Sequence, residues 1–233
     1  MKRFWVTFQN DLRVQWRSGF YAATLFVTLF WVAILSQLQA FDFTSLLPSM
    51  LIGNLAVSTF YFVAALVLLE KDEGSLTALR VTPLRLKEYL LSKVLSLTIP
   101  ALLETLVLTA LIAGWQVNWL LLIGCILLTS TIYVLVGFAV VQRYRGINEF
   151  LLPSGLLVGL LWLPLMVRGA GILLPWYTPH PLNPAFWLVN AALVPQPWIT
   201  TLLAIGVGLL ALVICAAWAQ RSYSQAGMQG GEK

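Results

Sequence analysis

Apolar residues in this chain do not alternate with polar ones but gather in runs of about twenty, the length a helix needs to cross a bilayer. Six such runs stand out: 20–38, 47–69, 94–115, 119–141, 150–167 and 198–219. At about 1.5 Å per residue each reaches across the hydrocarbon. The expected fold class is an all-α membrane protein of six transmembrane helices, built as a single membrane domain over residues 1–233.

The stretch before the first run has a different period. At 100° per residue, Phe4, Trp5, Phe8, Leu12 and Trp16 fall on one face, and Lys2, Arg3, Arg13 and Arg17 on the other. Residues 1–18 thus read as an amphipathic interfacial helix, aromatic toward acyl chains and basic toward headgroups. A helix packed on a soluble core is the competing reading, but the chain offers no such core. Without a central apolar block or a small-residue cleavage site, this N-terminal stretch is not expected to be a cleaved signal peptide.

Charge orients the runs. The sequence is 60% hydrophobic and only 10% charged, with a net charge of +5. A basic soluble protein would point to nucleic acid; here the positive-inside rule accounts for the excess. Of fourteen Lys and Arg, all but Arg168 fall in the N-terminal stretch, the 70–93 and 142–149 connections, or the tail. Those segments, and with them both termini, are expected in the cytoplasm.

One connection is a charged island, 70–92, flanked by hydrocarbon. Gly74-Ser75 can open a short helix presenting Leu76 and Leu79. Thr82 reads as an N-cap and Pro83 as the first residue of a second helix running past Tyr89 into the third span. Two short helices with leucines among charges suit a partner's groove; a solvated loop is the alternative. On the opposite side, 168–197 is long, apolar and rich in proline, which fits a re-entrant pair of short helices or a compact loop.

Chemistry is scarce. His180 is the only histidine, so a two-histidine metal site is excluded; no G-x-S-x-G elbow or G-x-x-x-x-G-K-[ST] phosphate loop occurs. Cys125 and Cys215 lie in apolar runs and read as small buried hydrophobes. No catalytic, cofactor-binding or metal-binding residue is expected. Glu104, deep in the third span, is the one acidic group at membrane depth, and a buried charge there points to function or to an interhelical hydrogen bond. Asn54 and Ser58 on the second span, and Thr129, Ser130 and Thr131 on the fourth, are candidate partners. Gly155 and Gly159 form a G-x-x-x-G face suited to close packing.

The island resembles the cytoplasmic motif of ABC-2-type transporter permeases, Glu-x-Glu-x-Gly-[Ser/Thr]-Leu followed by Leu, Thr-Pro-Leu and a later Lys. Here it stands as Glu70-Lys71-Asp72-Glu73-Gly74-Ser75-Leu76, Leu79, Thr82-Pro83-Leu84 and Lys93. Six runs, the interfacial helix, and Asn183-Pro184 in the apolar outer segment match as well, so the resemblance covers nearly the whole chain. Within the family the chain looks most like bacterial fluoroquinolone and drug exporters, with the haem-exporter B subunit as the rival. Thr77 departs from the pattern, which often has an acidic residue there.

The resemblance implies a permease subunit of an ATP-binding cassette exporter in the inner or plasma membrane, paired with a second permease. ATP and Mg would be held by separate ATP-binding subunits, with nucleic acid playing no part. Glu70, Asp72, Glu73, Gly74, Leu76, Leu79, Arg80, Thr82, Pro83 and Arg85 would dock the ATPase. Glu104, Asn54, Ser58 and Phe62, with the neighbouring Phe60 and Tyr61, would face a pathway for a lipophilic or amphipathic substrate. A non-transporting scaffold recruiting a cytoplasmic protein is the alternative outside the transporter class, and a membrane-embedded enzyme a distant third.

Overall fold

The structure is a computed structural model that describes residues 2–37, 45–74, 85–172 and 180–229. These residues form helices joined by short turns, without a strand among them. The helices are α1 (Lys2–Arg17), α2 (Phe20–Gln37), α3 (Leu47–Asp72), α4 (Leu86–Ala113), α5 (Trp119–Val141), α6 (Ile147–Gly169), α7 (Asn183–Leu193) and α8 (Trp198–Gln229). By length and composition α3, α4, α5, α6 and α8 can each cross a membrane, and the pair α1–α2, bent by 60°, gives a sixth candidate. The bend falls at Gly19, whose φ of +77° is readily available only to glycine.

Most boundaries agree with the apolar runs, and α5 coincides with its run. α8 runs on to Gln229, ten residues beyond its apolar run, and two others differ for physical reasons. α3 runs on through Glu70 to Asp72, because Glu70 is turned into the protein and extends the buried face by a turn. Gly74, with φ +70°, follows its end. α4 begins at Leu86, eight residues before the apolar run, with Arg85 N–H donating to Glu88 Oε2 at 3.0 Å. The expected N-cap at Thr82, and with it Leu76, Thr77, Leu79, Arg80 and Pro83, lies outside the described residues.

α3 is the central element. It packs against α4, α5, α6 and α7, and Phe60, Val63, Leu66 and Val67 are fully enclosed. Its middle, Ala56–Tyr61, is a π-helix, a wider turn than the α-helix on either side. Gly137 of α5 lets this segment approach; a Cβ there would stand 2.7 Å from the Phe60 carbonyl oxygen. Toward the other end of α3, Ser49 donates to the Leu165 carbonyl at 2.6 Å, and the Trp162 indole donates to the Ser49 carbonyl at 2.7 Å. In contrast, α6 and α8 leave long rows of leucine and valine exposed, as helices bordered by lipid do.

The 168–197 segment yields α7, eleven residues and too short to cross on its own. Pro184 occupies its first turn, where the missing N–H costs nothing. α7 packs on α5 and α8, and its Ala192 carbonyl accepts from Asn118 N–H at 2.8 Å. A second short helix before it would fall largely in 173–179, outside the described residues.

Candidate functional site

Two polar clusters lie along one face of α4, each built with a residue of α3. The first gathers around Lys93, whose side chain is completely buried. Its ammonium reaches Asp11 Oδ1 of α1 at 2.6 Å and also pairs with Glu70 of α3. Tyr89 donates to the other Glu70 oxygen at 2.5 Å, and Ser92 donates to the second Asp11 oxygen. One turn on, Gln15 donates to Ser96 at 2.7 Å. A buried lysine is tolerated only with its charge matched and its donors engaged, and this arrangement supplies both.

The Asp11–Lys93 contact reveals a third face on α1. Asp11 and Gln15, four residues apart, point into the protein, while Trp5 and Trp16 remain exposed. A two-sided reading of the helix as aromatic against basic leaves this face out. The signal was present: Asp11 is the only acidic residue in a basic helix, and it shares its i, i+4 spacing with the Ser92–Ser96 pair on α4.

Lys71 adds a further tie. Its ammonium donates to the carbonyl oxygens of Val141 (3.0 Å), Gln142 (3.3 Å) and Tyr144 (2.9 Å), at the negative end of α5. The opening residues of the island therefore do not all face outward. Glu70 and Lys71 bind the end of α3 to α1, α4 and α5, whereas Asp72, Glu73 and Gly74 are exposed. Arg85, also exposed, lies at the start of α4.

The second cluster sits deeper. Ser58, within the π segment, donates to Glu104 Oε2 at 2.6 Å. Glu104 is 2% exposed, and its other oxygen and the amide nitrogen of Asn54 are buried without hydrogen-bond partners among the described residues. Asn54, Ser58 and Glu104 are thus brought to one region, as their spacing suggests. Phe62 is not part of it: its ring packs edge-on against Phe20 of α2, centroids 4.9 Å apart. Phe60 and Tyr61 pack on Phe150 of α6 at 5.9 and 6.2 Å. The aromatics therefore serve contacts between helices in this conformation.

Of the threonines and serine on α5, Ser130 pairs with Thr98 of α4 at 3.1 Å, while Thr131 bonds back to its own helix. A Cβ on Gly159 would meet nothing within 4 Å, and one on Gly155 only the Tyr61 hydroxyl at 3.9 Å, so no described helix uses the G-x-x-x-G face. At the far end, Arg168 holds α7: its guanidinium lies 5.0 Å from the rings of Phe186 and Trp187 and donates to the side-chain amide oxygen Oδ1 of Asn183 at 3.4 Å. Both cysteines are free. Among the described residues no three His, Cys, Asp or Glu converge to hold a metal.

Comparison with known proteins agrees with this architecture. Residues 2–226 match the fluoroquinolones export permease protein family. The fluoroquinolones export permease proteins of two Mycobacterium tuberculosis strains, CDC 1551 / Oshkosh and ATCC 25618 / H37Rv, are each 28% identical over 225 residues, covering 93% of this chain and 91% of the relative. No solved structure matches. With the match running nearly end to end, the chain belongs to the fluoroquinolones export permease protein family.

Proposed function

We propose that this chain is the membrane-spanning subunit of an ATP-driven exporter that moves a lipophilic or amphipathic compound, of the fluoroquinolone type, out of the cell. ATP and Mg are bound and hydrolysed by a separate subunit, which docks on the 70–92 coupling segment. Two permease subunits pair in the inner or plasma membrane, with both termini cytoplasmic. α1 lies in the interface, and 168–197 dips into the outer leaflet.

The observation that carries this reading, beyond family membership, is the junction at Lys93. α3 ends in the coupling segment and α4 begins from it, and at that junction Asp11, Glu70, Lys71 and Lys93 tie α3 to α1, α4 and α5. A displacement delivered to the segment is therefore transmitted to four helices together. Buried, paired charges resist sliding apart, which suits a rigid lever better than a solvated loop.

The test is co-expression with a candidate ATP-binding subunit, followed by fluoroquinolone uptake into inside-out vesicles. ATP-dependent uptake that falls to background when Leu76 and Leu79 are changed to Asp, with loss of the ATP-binding subunit from the purified complex, is the expected outcome. Uptake that needs no ATP-binding subunit, or a complex indifferent to both changes, overturns the proposal.

A further inference from the structure

A recess of about 870 Å³ lies between α5, α7 and α8, at the end of the bundle away from Lys93. Its shape follows from one close approach. α5 and α8 touch at Leu128 and Gly208, where a Cβ on residue 208 would meet the leucine at 2.6 Å. From there the helices part toward Asn118 and Trp198, and α7 closes one side of the wedge. The narrow part is hydrocarbon, with Leu128, Ile205 and Leu209 on its walls; Gln116, Asn118 and Gln196 stand at the wide end. Among the described residues no charged side chain lines it.

We propose that this wedge holds an acyl chain of a membrane phospholipid, with the glycerol and ester region at Gln116, Asn118 and Gln196. Three observations select this occupant. The groove lies between two helices that cross the membrane, so lipid tails border it along its length. The hydrocarbon walls of its narrow part give water no hydrogen bonds, and its volume is that of a ligand site. Its uncharged polar end coincides with a tryptophan belt: Trp198 on the rim is 71% exposed, and the Trp115 and Trp119 rings lie 5.7 Å apart, tilted by 50°. Tryptophan marks the level of the headgroup boundary, where ester carbonyls lie. The inference depends on the chain being a membrane protein and not on what it exports.

Gly124 provides the test, because it lines the groove and a Cβ there meets nothing within 4 Å. Gly124→Phe should fill the space with little strain, Thr201→Trp should fill it from α8, and Gly124→Ala should leave it open. The full chain is reconstituted in phosphatidylethanolamine–phosphatidylglycerol vesicles, extracted in mild detergent and examined by native mass spectrometry. Wild type and Gly124→Ala should each retain a phospholipid through delipidation, with occupancy falling at least tenfold in Gly124→Phe and Thr201→Trp. Equal retention in all four, or none in wild type, overturns the assignment. So does a filled groove that breaks a permease dimer without changing lipid content, since the occupant is then a second copy. Displacement of the retained lipid by a fluoroquinolone at equal stoichiometry would overturn it too, in favour of a substrate site.

Discussion

Ser58 donates a 2.6 Å hydrogen bond to Glu104 from inside a π-helical turn, so the one acidic side chain at membrane depth is anchored where the backbone departs from α geometry. π turns are uncommon and recur at functional sites. Glu104→Gln preserves the size of the side chain and can still accept from Ser58. It should leave the yield of folded protein unchanged while altering the export proposed above. Ser58→Ala withdraws a donor from a buried carboxyl and should lower stability by about 1–3 kcal/mol. Equal loss of folded protein with Gln and with Ala at 104 would reduce the cluster to a helix–helix fastener.

At the Lys93 cluster, Lys93→Met strands two carboxylates in a buried site. The expected cost is about 3–5 kcal/mol, read as a lower thermal transition in detergent. Adding Asp11→Asn should recover part of it, because one uncompensated charge is gone. Additive losses in the double variant would argue against direct coupling between α1 and α4.

Lys71 terminates α5 by donating to three carbonyls. Lys71→Met should cost about 1.5 kcal/mol, near the low end for bonds to a charged group because the site is partly open to solvent. Hydrogen exchange should quicken selectively at the end of α5. Unchanged exchange there would show that water replaces the lysine.

Glycines on α5 should respond oppositely. At Gly137 an added methyl meets the Phe60 carbonyl and Val63, both at 2.7 Å, so Gly137→Ala should destabilise by about 1–3 kcal/mol. Gly124→Ala meets nothing and should be neutral or stabilising by up to about 1 kcal/mol. Thermal transitions of the two variants provide the comparison.

His180 should confer pH dependence on the turn before α7. Its Nδ1 accepts from Leu182 N–H at 3.3 Å, and burial lowers its pKa below the ordinary histidine value. The folded turn therefore disfavours the proton. Its stability is fully present above a pH of about 6.5 and is lost as the pH falls from there through the lowered folded value. Amide exchange at Leu182 should accelerate on acidification, and His180→Ala should abolish that dependence.

The sequence exposes the crossings well because hydrocarbon solvent permits few alternatives: a run such as 119–141 must be helical, and it is. The pairing of Ser58 with Glu104 was also accessible, since polar groups at membrane depth seek one another. What was hidden is the inward side of segments that look wholly exposed. Glu70 and Lys71 read as part of a hydrophilic island, yet one is buried and the other caps a neighbouring helix. Composition cannot separate a solvated charge from a paired one when the partners, Lys93 for Glu70 and Val141 for Lys71, lie 23 and 70 residues away along the chain. The roles of Phe60, Tyr61 and Phe62 were obscured for a related reason, because an aromatic ring suits a pathway wall and a helix interface equally.

The π segment also sets the phase between α3 and α4. These helices meet at two rungs, Ser58 with Glu104 and Glu70 with Lys93. On α4 the rungs are eleven residues apart, roughly three whole turns, so both fall on one face. On α3 they are twelve apart, which in an unbroken α-helix would rotate the second rung by roughly 120° away from α4. The part of the wider turn that lies beyond Ser58 takes back some of that rotation and turns Glu70 toward α4. Ala56–Tyr61 thus acts as a skipped tooth in a gear. It keeps a rung at membrane depth and a rung beside the charged 70–92 connection in register, so a change of winding at the first would be felt as a rotation at the second.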